Sequence, residues 1–90
     1  MSVIHVKTTS GFECDVNEAA LNDYEVLDYI AEIQINSNPL FYPLLVKKLL
    51  GADGEKALRE HVRKDDGCVS NDDIAVEVTD IFTSIKAGKN

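Results

Sequence analysis

The residues able to do chemistry in this 90-residue chain are few: His5, His61, Cys14, Cys68 and two acid-rich runs, Asp65-Asp66-Gly67 and Asn71-Asp72-Asp73. The acids invite a calcium reading, which needs oxygen ligands at alternate positions ahead of a glycine and a glutamate six residues after it. Counting from Gly67 places Val62 and Lys64 at two ligand positions and Asp73 where the glutamate belongs, so the motif fails. A helix stop followed by a helix cap accounts for these acids equally well. Gly51-Ala52-Asp53-Gly54-Glu55-Lys56 has the outline of a phosphate loop, but it follows a helical stretch and lacks the Gly-Lys-Ser/Thr ending. Two cysteines so far apart make neither a zinc site nor a disulfide framework. Cys14 is expected to pack as a small apolar residue and Cys68 to be an exposed thiol without a base. His61, beside Leu58 and Val62, reads as a partly buried structural histidine. His5 would titrate near its ordinary ~6.5, with no carboxylate assigned to it. No nucleophile, base and oxyanion donor come together, so neither an enzyme nor a bound cofactor or metal is expected.

The elements that would position these residues follow from periodicity and punctuation. Val3 to Thr8 and Phe12 to Val16 alternate around Thr9-Ser10-Gly11, which predicts a β-hairpin with Phe12, Cys14 and Val16 on one face. Asn22 and Glu25 have capping-box spacing, and the helix beyond them should reach Gln34, with Val26, Leu27, Ile30, Ala31 and Ile33 inward. Asn36-Ser37-Asn38-Pro39 breaks it, and Pro43 either delays the next helix or kinks its first turn. Leu40 to Val62 then reads as a helix with Phe41, Leu44, Leu45, Leu49 and Leu50 on its apolar stripe. A stop at Gly51 follows, and a second helix from Asp53. Ser70 and Asp73 repeat the cap, opening a last helix with Ile74, Val78, Ile81, Phe82 and Ile85 inward, Asp73, Glu77 and Asp80 outward, and a frayed end at Gly88-Lys89. The expected architecture is one mainly α (α+β) domain: a hairpin over 2–16, then about four short amphipathic helices over 22–86.

Composition narrows the function further. An apolar fraction of 44% is that of a folded chain. No apolar run approaches the ~18 residues of a membrane span, and the N-terminus lacks a basic-then-apolar leader. The expectation is a soluble cytoplasmic protein without a membrane partner. The net charge of −7 argues against nucleic acid. The charge is segregated: seven acids stand against Lys7 over 1–38, six bases against three acids over 47–64, and six acids without a base over 65–80. Such segregation either steers a partner or favours a homo-oligomer, or it is an ordinary solvated surface. The aromatics Tyr24, Tyr29, Phe41 and Tyr42 cannot all face one small core. Either they centre a partner-binding surface or they lie half-buried with the hydroxyls wet.

Gly11-Phe12-Glu13-Cys14, Leu21-Asn22-Asp23-Tyr24-Glu25-Val26-Leu27, Leu49-Leu50-Gly51 and Asp66-Gly67-Cys68-Val69 stand, in that order, before a terminal amphipathic helix. From Gly11 onward this succession resembles the small tail assembly chaperones encoded by long-tailed bacteriophages and prophages of Gram-positive bacteria. The resemblance implies binding without catalysis. Such chaperones hold the long helical tape-measure protein until tail-tube protein subunits replace them, are absent from the finished virion, and in many cases also exist in a longer frameshifted form. The alternative is a small acidic adaptor or inhibitor that occupies a basic partner.

Overall fold

The computed structural model describes residues 2–88. Strands β1 (Val3–Lys7) and β2 (Glu13–Asn17) pair antiparallel, with Val6 opposite Cys14 and His5 opposite Asp15. Between them the Thr8 amide donates to the Phe12 carbonyl at 2.8 Å, and Gly11 turns the chain at φ 93°. Alternation sends Val6, Thr8, Phe12, Cys14 and Val16 inward, as the period of two requires. A hairpin this short is marginal alone in water, and this one lies across the helices, its apolar face joined to their core.

A 3-10 turn, Glu18–Asn22, leads into α1 (Tyr24–Gln34). The cap of α1 is Asp23, not Asn22: its carboxylate accepts the Glu25 amide at 2.8 Å. Asn38 is extended and caps a short 3-10 turn, Pro39–Phe41, with its side chain on the Leu40 amide. The α-helix proper, α2 (Tyr42–Val62), starts with Pro43 inside its first turn, where a missing N–H costs nothing. α3 (Asn71–Gly88) closes the domain, and Lys89 of the expected frayed end lies outside the described residues.

The described residues therefore hold three α-helices rather than about four, because both halves of the Leu40–Val62 stretch belong to α2. The break at Gly51 is nevertheless there, as a kink with φ 75° and ψ 173°. That region of backbone space is essentially reserved for glycine. Gly51 itself forms the junction, so Asp53 sits inside the second segment instead of capping it. Just past the kink, a Cβ on Gly54 would lie 2.7 Å from the Leu50 Cβ, so the two segments meet across a hydrogen atom.

The core joins Val6, Phe12, Cys14 and Val16 of the hairpin to Val26 of α1, to Leu45, Val46, Leu49 and Leu58 of α2, and to Val78, Ile81 and Ile85 of α3. Burial pushes the Cys14 thiol up to about 11, which leaves it protonated and inert, while Cys68 is exposed. Two expected core residues are not there: Leu27 is 57% exposed and Leu44 45%, and Val46 takes the inward position on α2. α1 carries apolar residues around most of its circumference, so spacing alone could not say which stripe turns in.

Gly51→Ala should lower stability by about 1–3 kcal/mol through backbone strain. Gly54→Ala should also destabilise, against the ~0.5–1 kcal/mol gain usual for this exchange in a helix, because the Leu50 Cβ has to move. Urea unfolding midpoints measure both, and a Gly54→Ala chain more stable than the parent would contradict the close approach.

Candidate functional site

The densest polar arrangement lies where the hairpin turn meets α3. Glu77, expected to face water, is 6% exposed. Its two oxygens accept the hydroxyls of Thr8 at 2.8 Å and Ser10 at 2.9 Å. Thr8 Oγ1 also accepts the Phe12 amide, and one helical turn on, the Asp80 carboxylate accepts the Thr9 amide at 2.6 Å. His61, near the end of α2, is exposed rather than partly buried. Its ring tilts over Phe12 with centroids 5.2 Å apart, and its Nε2 lies 2.9 Å from Ser10 Oγ.

Serine, histidine and a carboxylate in contact suggest nucleophilic catalysis, but the proton arrangement runs the wrong way. A general base must accept the serine proton, and the acid must orient the base. Here Ser10 donates to Glu77, and its oxygen lies 2.9 Å from His61 Nε2. Glu77 sits on the serine and not on the imidazole. The arrangement fastens the turn to α3. The signal for a buried Glu77 was present in the sequence, since it falls at i+3 from Ile74 and four before Ile81, on the apolar stripe itself.

Other ionic contacts are structural in the same sense. Lys48 Nζ bridges Asp23 at 3.0 Å and Glu25 at 2.8 Å, pinning α2 to the start of α1; the lysine holds the Asp23 carboxyl below its usual range. Glu55 is buried and gripped through both oxygens by Arg59, which lowers its pKa. Asp66 closes its own loop on the Cys68 amide, and Asp73 faces Lys64 at 3.8 Å. Among the described residues no three His, Cys, Asp or Glu side chains converge to hold a metal ion. On the outer face of the hairpin, His5 is not without partners. Its Nδ1 lies 2.8 Å from Asp15 and its Nε2 3.0 Å from Glu13. Two carboxylates call for two N–H donors, which favours the imidazolium form, and the hydrogen bonds to Asp15 and then Glu13 raise the His5 pKa.

The four aromatics divide. Tyr29 and Phe41 come together with ring centroids 5.7 Å apart, half-buried between α1 and the turn before α2. Tyr42 is half-buried between two open clefts. One, of about 320 Å³, is walled by Ile30, Ile33, Leu45, Val78 and Phe82. The other, of about 340 Å³, is walled by Pro43, Val46, Leu58, Val69 and Ile74. Tyr24 stands apart, 83% exposed at the start of α1. It has apolar company that the sequence reading missed: Leu27, Ile35, Leu40 and Leu44 are exposed too, so among the described residues five of the seven large apolar side chains in water belong to the stretch from Tyr24 to Leu44. No helix among the described residues is long and apolar enough to cross a membrane. Compared with known proteins, the chain matches no family model, no curated protein and no solved structure.

Thr8→Val keeps the shape but leaves one oxygen of a buried carboxylate without its donor, and should cost about 1–3 kcal/mol in urea unfolding. A neutral result would mean that water reaches Glu77. For His5, the raised pKa makes its stabilising contribution complete below the unfolded value of ~6.5 and lost as pH rises through the folded one. The His5 ring proton shift should titrate above ~6.5 and return toward it in Asp15→Asn.

Proposed function

We propose that this chain is a client-holding protein of the tail-assembly-chaperone kind, working without catalysis in the cytoplasm of a bacterial host. The observation that carries the reading is the gathering of exposed apolar side chains on α1 and the start of α2. Leaving such residues in water forgoes about 25 cal/mol for each Å² that could be buried, and patches of this kind mark binding surfaces on small soluble folds. The polar clusters around Glu77 and Lys48 support it from the other side, since each joins two parts of the fold. The clients implied by the resemblance are the tape-measure protein, whose helices carry apolar stripes needing cover, and the tail-tube protein. A net charge of −7 keeps the free holder in solution.

One observation favours an acidic adaptor instead. Between Lys7 and Lys47 the chain has no basic residue at all, so that half of the molecule would attract a basic partner. Co-expression separates the two readings. A tape-measure fragment that aggregates alone should remain soluble with this protein, in a complex that survives about 0.5 M salt, where the screening length is below ~8 Å. A fragment that still precipitates, together with capture of a basic protein that dissociates in that salt, would favour the adaptor.

A further inference from the structure

We propose that the outward face of α1 is the docking surface for an amphipathic helix whose apolar stripe is flanked by lysine or arginine. Tyr24, Leu27 and Ile35 follow one another through Ala31 at spacings of three, four and four, which is a single helical stripe. Ile35, just past the helix, keeps helical geometry and bonds back to the Ala31 carbonyl at 2.8 Å, so the stripe runs unbroken to its end. The opposite side of α1 already spends Val26, Tyr29, Ile30 and Ile33 on the core. A surface helix normally turns its second side to water as a polar face; this one offers a second apolar stripe on which Tyr24, Leu27 and Ile35 stand exposed. Helix-in-groove recognition reads such a stripe through anchors at i, i+3, i+4 and i+7.

Charge selects the occupant. Asp28 and Glu32, four apart, run along one flank of the stripe, and neither pairs with a cation among the described residues; Glu32 only accepts from Asn36 at 3.1 Å. Lys48, the cation that α2 brings to the start of α1, is already shared between Asp23 and Glu25. Two free carboxylates beside exposed leucine and isoleucine attract a helix carrying cations at the edge of its own apolar face. A second copy fits poorly. The basic segment of α2 has Leu58 and Val62 committed to the core, and α3, with Asp72, Asp73 and Asp80 against Lys86, carries more acid than base. The inference deepens the client-holding reading by giving it a place and a chemistry.

The test uses the full chain and two synthetic amphipathic helices of about five turns, identical in their leucine stripe and flanked by lysine in one and glutamate in the other. The lysine-flanked helix should bind and move amide resonances over residues 24–35, and the glutamate-flanked one should bind at least about tenfold more weakly at low salt. Asp28→Lys with Glu32→Lys should reverse that preference, and Leu27→Ser with Ile35→Ser should abolish binding of both. Leu27, Asp28 and Ile35 are exposed and Glu32 is half-buried, and thermal melts of the variants report whether each is folded; the comparison of the two peptides on the parent chain decides without them. Equal binding of the two helices, no binding, shifts centred on Ile30, Tyr42 and Phe82, or a dimer formed through α1 would each overturn the proposal. If the charge-reversed variant still keeps a tape-measure fragment soluble, the client-holding reading stands and this surface falls.

Discussion

The fold depends on a carboxylate held in a nearly dry place by two hydroxyls. Glu77 reaches inward from the last helix and meets Thr8 and Ser10 of the first turn, across 69 and 67 residues of chain. Burying a carboxyl group is costly unless it is well bonded, and among the described residues no cation pairs with Glu77, so its place rests on donors whose positions are set by the hairpin turn. The turn in turn is held by what it bonds to: Thr8 Oγ1 closes it on the Phe12 amide, and Asp80 takes the Thr9 amide. Hairpin and helix thus each supply the geometry the other requires, and the apolar face of the sheet is presented to the core at one fixed height.

That interlock explains which parts of the structure were legible in the sequence. Local punctuation was readable because its causes are local. The Thr9-Ser10-Gly11 turn, the extended Asn38 before Pro39 and the bend at Gly51 all follow from steric rules acting on one or two residues. The cap of α1 missed by one position, since Asn22 and Asp23 are both good acceptors and Lys48, distant in sequence, favours the second. Glu77 lies on the apolar stripe by spacing, between Ile74 and Ile81, but its charge assigns it to water, and the serine and threonine that satisfy it arrive from the other end of the chain. His5 is the intermediate case: once the turn is placed, the register puts Asp15 opposite it, so its partner followed from counting that had not been carried that far.

The candidate surface was half legible for a similar reason. Tyr29 and Phe41 were singled out as aromatics too many for one core, and they satisfy each other at a helix junction. Tyr24 remained outside as a genuine surface residue, but its neighbours Leu27 and Leu44 had been placed in the core. A helix with apolar residues on two sides has two self-consistent orientations by pattern alone. The choice between them is made by volume, and α1 finds that volume against α2 and the 3-10 turns on either side of it.

The contrast between the two cysteines has a practical consequence. Cys14, shielded beneath the hairpin, is out of reach of oxidants, whereas the Cys68 sulfur sits on an open loop beside Gly67. During purification in air, two molecules meeting at Cys68 each lose a hydrogen to oxygen and leave as a covalent pair. Such a species migrates as a dimer and vanishes with reductant, a sulfur artefact imitating assembly, so a sizing experiment on this protein measures association only with a thiol reductant in the buffer.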